Sequence, residues 1–350
     1  MNLINKQSIN KHELPRLAIF GAGGLGVEML ALLTKRPCAN LVGLLDKSGF
    51  VFDNKGLELD NSIESLIRHK QVSAIDNSIQ SDNSIAEFLN LYAGQLDAIF
   101  FALPNLPNEF IPNITKQIIN QSSFSGVIID ALKRTTAVKM LEGLNKELKE
   151  RNILYLTGCG ATPGMLTAAA SLAAQSFVEI ESVKITFGVG IGNWQAYRAT
   201  IREDIAHLKG FDVEKVSKMT EEEIDAELDA REGILELVNM EHADDIMLEM
   251  AGICDASRVT VGGIVDTRNP KKPISTNVQI TGITYQGKRS THSFTLGDET
   301  TMAANVNGTV LGYLNAGIYL RNEYCASGLK TAAELMPKFA PVKMKVLTQV

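Results

Sequence analysis

A glycine-rich turn, Gly21-Ala22-Gly23-Gly24-Leu25-Gly26, follows the short apolar run RLAIF at 16–20 and opens the amphipathic stretch GVEMLALLTKR. Strand, turn and helix in that order predict the first unit of a dinucleotide-binding sheet. Gly21 permits a tight turn, Gly23 lets the backbone approach a pyrophosphate, and Gly26 lets helix and strand pack closely. The helix N-terminus then offers unpaired amides to the phosphates. A second apolar run, LVGLLD, ends in Asp46, twenty residues after Gly26. A carboxylate there accepts hydrogen bonds from a ribose and repels a 2′-phosphate. NAD is therefore the expected cofactor, and Lys47 and Ser48 beside Asp46 leave NADP open.

The alternation continues. DAIFFALP (97–104), GVIIDAL (126–132) and ILYLTG (153–158) are apolar strand patterns separated by helical ones, including NEFIPNITKQIIN and a long TTAVKMLEGLNKELKERN. Apolar strands alternating with helices predict a parallel sheet covered on both faces. After residue 178 the strands become alternating and rich in Thr, Val and Ile (IESVKITFGVG, SRVTVGGIVDT, ISTNVQITGITYQG, RSTHSFTLGD), which predicts an open antiparallel sheet. Between the first two lies an acidic, helical-looking block, EEEIDAELDAREGILELV. A helix is expected from about 300 to 320, with a shorter one at TAAELMP. The predicted class is α/β: a doubly wound Rossmann sheet with an inserted α+β domain. Its expected parts are a disordered tail (1–14), a dinucleotide-binding domain (15–158), a substrate and dimerisation domain (159–299), and C-terminal helices returning to the first domain (300–350).

A net charge of −6 argues against nucleic acid and anionic lipid as partners. The four cysteines include no CxxC pair, so neither a disulfide framework nor a cysteine zinc site is expected, and no histidine has metal-ligand spacing. The polar N-terminus and the lack of a long apolar run lead us to expect a cytoplasmic protein. An open alternating sheet needs a partner face, so a homodimer is expected.

Hydride transfer asks for an exposed nicotinamide face, a pocket for the substrate carbon, and cations for carboxylates. Ala102, Leu103 and Pro104 end one strand, and Asp130 another, where such sheets line a cofactor. The alternative for Pro104 is a plain turn proline. Lys133 follows Asp130 closely; it and Arg134 are either functional cations or surface salt-bridge partners. Trp194, Tyr197, Arg198 and Arg202 suggest a wall for an anionic substrate, with the two arginines four residues apart on one helix face. The competing reading is a helix in which they pair with Glu203 and Asp204. His292, with Asp298 at the end of its strand, is a further catalytic candidate; His242 in EHADD shows no motif. In TGCGATPGMLTAAA (157–170), Thr162 is positioned to cap a helix with Pro163 in its first turn, leaving free amides as an anion site. Cys159 and Thr162 are thus expected at the substrate.

These motifs together, IFGAGGLG with Asp46, then FFALPN, VIIDALKR, GCGATPGMLT and the closing DETTMAANVNGTVLGYL and GLKTAAELMP, resemble the saccharopine dehydrogenase-like oxidoreductases. That group includes carboxynorspermidine dehydrogenase and relatives of diaminopimelate dehydrogenase. The resemblance implies NAD(P)-dependent hydride transfer at a CH–NH centre of an amino acid or polyamine-like carboxylate. Thr162 stands where that family carries an acidic residue, so its substrates do not transfer. A non-catalytic dinucleotide-binding protein, and a reductase of another carbonyl, remain open alternatives.

Overall fold

A computed structural model describes residues 14–339 except 106, 193, 199, 200 and 239. Most of the expected N-terminal tail and the last residues of the expected C-terminal segment lie outside the described residues. The chain divides into two compact units, one running up to Met165 and resuming at Met302, the other Leu166–Thr301.

The first unit starts with β1 (Arg16–Phe20), α1 (Gly24–Lys35), β2 (Asn40–Asp46), β3 (Gly49–Phe52), α2 (Leu59–His69), β4 (Ile79–Gln80) and α3 (Ser84–Tyr92). It continues with β5 (Ala98–Phe101), α4 (Phe110–Gln121), β6 (Val127–Asp130), α5 (Thr135–Glu142), α6 (Asn145–Glu150) and β7 (Leu154–Thr157). The chain then enters α7 (Met165–Ala174), most of which belongs to the second unit. That unit adds β8 (Glu179–Gly190), α8 (Trp194–Tyr197), α9 (Ile201–Ala206), α10 (Val213–Ser217), α11 (Glu221–Ala230), β9 (Ile234–Leu237), α12 (Asp244–Met250), β10 (Val259–Asp266), β11 (Asn277–Ile283) and β12 (Arg289–Thr295). The first unit closes with α13 (Met302–Tyr324) and β13 (Gly328–Thr331).

The first sheet has the order β13-β7-β6-β5-β1-β2-β3-β4. It is parallel from β13 to β2, and β3 and β4 extend it antiparallel. Both faces are buried, which is why its strands read as unbroken apolar runs. Leu17 and Ile19 join a core with Leu30, Leu311 and Leu314. On the other face Phe20 meets Phe88 edge-on, ring centroids 5.8 Å apart, and lies 5.6 Å from Phe101. Each such buried ring contributes roughly 1.5–3 kcal/mol.

The second sheet has the order β12-β11-β8-β10-β9 and is mostly antiparallel, but β8 and β10 pair in parallel, a departure from the all-antiparallel expectation. Val183 and Ile185 turn inward and Lys184 turns outward, the alternation expected of a sheet wet on one face.

Three local readings need correction. The long helix expected after residue 134 breaks at Gly143, where Leu144 N bonds back only three residues to Leu141 O, so α5 and α6 are separate. Glycine in a helix interior lacks a packing side chain and is unfavourable by about 0.5–1 kcal/mol. The acidic block is helical only to Ala230; Thr220 and Glu223 form its capping box, and Glu232 and Gly233, both at positive φ, turn the chain into β9. The segment TAAELMP at 331–337, read as a short helix, instead follows β13, which runs parallel to β7, and forms a turn in which Glu334 accepts from Thr331 N.

Candidate functional site

The chain leaves β1 for β2 on one side, while β5 lies on the other, so a crevice at the carboxyl ends of β1 and β5 is the place this topology offers a ligand. The glycine turn stands there. Gly21 has φ +109°, and a Cβ on it would lie 2.3 Å from Ala102 O; a Cβ on Gly26 would lie 2.1 Å from Gly21 O. These two glycines are demanded by backbone contacts within the protein. Gly23 and Gly24 differ: a Cβ there meets nothing within 4 Å. The turn is therefore tight underneath and open above, the shape a pyrophosphate over a helix N-terminus requires. Gly26→Ala is expected to force the turn apart at a penalty of about 2 kcal/mol, read as roughly thirtyfold weaker dinucleotide binding in a fluorescence titration.

Asp46 ends β2 half-buried. Its Oδ1 accepts from Ser48 N and Oγ at 2.7 and 2.5 Å, and its Oδ2 from Val72 N at 3.0 Å. A carboxylate has about four acceptor positions, so one remains for a ribose hydroxyl. Lys47 is exposed beside it. Ala102 and Leu103 are half-buried and Pro104 is exposed at the end of β5, where Ala102 N bonds Phe20 O at 2.8 Å.

Asp130 does not reach a ligand. It is fully buried, and its carboxylate accepts from Leu132 N (3.0 Å), Gly158 N (2.7 Å), Tyr155 Oη (2.8 Å) and Thr157 Oγ1 (3.0 Å). Desolvation by burial raises its pKa from the ordinary carboxylate range despite these bonds. The expected cofactor contact is corrected: Asp130 ties the loop after β6 to the turn after β7 from beneath.

Lys133 rides on that loop. Its backbone N donates to Asn105 Oδ1 (3.2 Å), joining the loops after β5 and β6, and Arg134 Nε reaches Asn108 Oδ1 at 3.4 Å. The Lys133 side chain is half-buried, and among the described residues no acid or acceptor pairs with its ammonium. Phe20, Phe101 and Asp130 are register partners across β1, β5 and β6. Gly21, Ala102 and Ala131 thus stand level, with neighbouring strands ~4.8 Å apart. Lys133 and the glycine turn share one sheet edge.

The second turn is built differently from its sequence reading. Cys159 is fully buried in the core, its thiol pushed well up by burial and by Asp130, so it neither lines a pocket nor serves as a nucleophile. Thr162 is half-buried, and the Thr162–Pro163 bond is cis. The helix starts only at Met165, after a turn closed by Met165 N to Gly160 O at 2.9 Å, so Thr162 is not its cap.

The remaining candidates lie in the second unit. Arg198 and Arg202 do not share a helix, since α8 ends at Tyr197 and α9 begins at Ile201. Both grip one internal carboxylate: Arg198 donates to Glu221 Oε2 (2.8 and 2.6 Å) and Arg202 to Glu221 Oε1 (2.7 Å). Hydrogen bonds from Arg202 and Arg198 lower the pKa of Glu221. The carboxylate these arginines hold belongs to the protein, and it is Glu221 rather than the Glu203 and Asp204 that the competing reading named. Trp194 packs against a core with Ile201 and Leu235, and the Tyr197 hydroxyl donates to Asp204. His292 is exposed on β12 with its ring 5.1 Å from Phe177, and Asp298 accepts from Ser275 Oγ at 2.8 Å; no hydrogen bond joins the two among the described residues. No group of metal-ligating side chains occurs among the described residues, and no helix is long and apolar enough to cross a membrane.

The two-unit α/β fold is that of the amino-acid dehydrogenases. Saccharopine dehydrogenase from Saccharomyces cerevisiae superposes with a TM-score of 0.57 at 11% identity, covering 91% of this chain and 94% of its own. A meso-diaminopimelate dehydrogenase variant from Clostridium tetani gives 0.52 at 14% identity, with coverages of 91% and 94%. An engineered D-amino acid dehydrogenase bound to NADP+ gives 0.50 at 15% identity, with coverages of 92% and 94%. No family model matches the chain. In sequence it is 41% identical over 349 residues to (S)-8-amino-7-oxononanoate synthase BioU of Haloferax mediterranei, covering 92% of this chain and 98% of that protein. The chain belongs to the BioU family of enzymes.

Proposed function

We propose that this chain is an NAD(P)-dependent enzyme moving hydride at a CH–NH centre, with an α-amino ketone carboxylate of the 8-amino-7-oxononanoate kind as substrate or product. The observation that carries the reading is Lys133, half-buried and without a counter-ion among the described residues, on the sheet edge that holds the glycine turn. The relative's named compound has an oxo group, whereas the sequence points to carbon–nitrogen chemistry. A lysine amine reconciles them, because an amine condenses with a ketone to an imine, losing water. The imine carbon then accepts hydride and the nitrogen becomes a secondary amine. Gly23 and Gly24, open above, would hold the pyrophosphate of a dinucleotide, whose nicotinamide would supply or accept that hydride.

The protein's residues do the positioning. Asn105 fixes the backbone of Lys133, Asp130 holds the loop from below, and Gly21 and Gly26 keep the turn closed under the phosphates. Asp46 favours NADH over NADPH. Asp46→Ser is expected to shift the ratio of the two affinities about tenfold toward NADPH, the equivalent of ~1.4 kcal/mol, as measured by paired titrations. Fluorescence titration of the wild-type protein with both cofactors, followed by addition of 8-amino-7-oxononanoate, tests the whole reading. A homodimer covering the open face of the second sheet remains part of it, as does a cytoplasmic location.

A further inference from the structure

The open face of the second sheet carries two charges that the chain itself leaves unmatched. On β8, Lys184 points away from the inward-turned Val183 and Ile185. Its register partner on β10 is Thr260, and farther along β10 Ile264 pairs with Glu236 of β9. Lys184, Thr260 and Glu236 are all exposed on this face. Among the described residues neither Lys184 nor Glu236 has an ion-pair partner. Two strand spacings and the length from Thr260 to Ile264 separate them, about 16 Å at ordinary strand geometry. They cannot meet within one chain.

A groove of about 410 Å³ lies between the two charges, lined among others by Gly262, Ile264, Ile274 and Val238. Val238 is 70% exposed, and Ile234, on the same side of β9, is 38% exposed. Single apolar side chains on a surface are ordinary. Here they gather around a floor where Gly262 leaves the β10 backbone bare. A sheet face kept for water alone turns polar residues outward; this one sets an apolar groove between a lysine and a glutamate.

Opposite charges at two points of one surface make that surface self-complementary. A two-fold axis between facing copies, passing over Gly262 at right angles to the line from Lys184 to Glu236, brings each charge onto its opposite in the other copy. One operation forms two ion pairs. Val238 follows Leu237, the register partner of Gly263, so it stands level with Gly262 and comes to lie over the other copy's glycine floor. The strands then cross steeply, nearer the orthogonal than the aligned class of sheet packing. A five-stranded face of this length offers on the order of 500 Å² per copy. Two copies bury about 1,000 Å² in all, the size at which specific interfaces begin.

We propose that a second copy of this chain docks here face to face, with Lys184 on the partner's Glu236 and Val238 seated over the partner's Gly262. The proposal deepens the homodimer set out above and rests on it.

The test is sedimentation velocity of the full-length protein over a range of concentrations. Wild type is expected to dimerise. Lys184→Glu and Glu236→Lys each set like charges together twice per dimer, so each should weaken association about a hundredfold. Combining the two substitutions restores opposite charges, and association should return to within about threefold of wild type. A purely structural role for either residue would not give that rescue. NADH affinity should be unchanged in all three variants, because the glycine turn belongs to the first unit. Single variants that associate within about threefold of wild type overturn the proposal and leave the homodimer to another face. A double variant no tighter than the singles overturns it as well. If wild type stays monomeric at every concentration, the homodimer fails and this proposal fails with it.

Discussion

Lys133→Ala is expected to remove all measurable conversion of 8-amino-7-oxononanoate, a loss of at least about 10³-fold. A positioned amine works at an effective concentration on the order of 10⁵ M or more, which no free amine in solution reaches. The substitution leaves the site's framework in place, because Lys133 contributes only its backbone N, bonded to Asn105, to the loop. NADH affinity and melting temperature are therefore expected to stay within twofold and a few degrees of wild type. Lys133→Arg should fail as completely, since a guanidinium stays protonated and cannot attack a ketone. Rapid-mixing measurement of nicotinamide oxidation with enzyme in excess checks this. Oxidation that survives in Lys133→Ala points instead to a reductase acting directly on a carbonyl.

The second large effect is on stability. Asp130→Ala removes the shared acceptor of Leu132 N, Gly158 N, Tyr155 Oη and Thr157 Oγ1 from a fully buried site. Each buried donor left without a partner is destabilising by about 1–3 kcal/mol, so a loss of about 4 kcal/mol or more is expected in urea unfolding. Asp130→Asn should lose far less, because the amide keeps an oxygen for the two backbone donors and the hydroxyls can accept from its nitrogen. The pH dependence has a definite sign. Burial raises the folded pKa of Asp130 above its unfolded value, so its favourable contribution is full below the unfolded value, near ~3.9, and is lost as pH rises through the folded one. The stability gap between wild type and Asp130→Asn should therefore move in favour of the Asn variant as pH increases from about 4 to about 7. The change is roughly 1.4 kcal/mol for every pH unit that separates the unfolded pKa from the folded one.

The parts of the site that were legible in sequence are those whose physics is local. Gly21 and Gly26 are required by contacts within the strand–turn–helix they belong to, and Lys133 is found by counting from the end of an apolar strand. What stayed hidden depends on distant partners. Arg198 and Arg202 were expected at a substrate because their partner, Glu221, comes some twenty residues on and no local spacing points to it. Asp130 looked like a ligand because its donors, Tyr155 and Thr157, come from the next parallel strand. Cys159 and Thr162 were misplaced because the helix starts at Met165, beyond a turn closed through Gly160. In the second unit, the hydrogen bond from Thr167 to Asp244 joins residues 77 apart, and no spacing rule reaches that far.

The most direct measurement is a single-turnover experiment in which wild-type enzyme, in excess and loaded with NADH or NADPH, is mixed rapidly with 8-amino-7-oxononanoate. Hydride transfer through a Lys133 imine predicts stoichiometric loss of the reduced-nicotinamide signal, absent in Lys133→Ala. Tight cofactor binding with no oxidation by this amino ketone, from either cofactor, would contradict it.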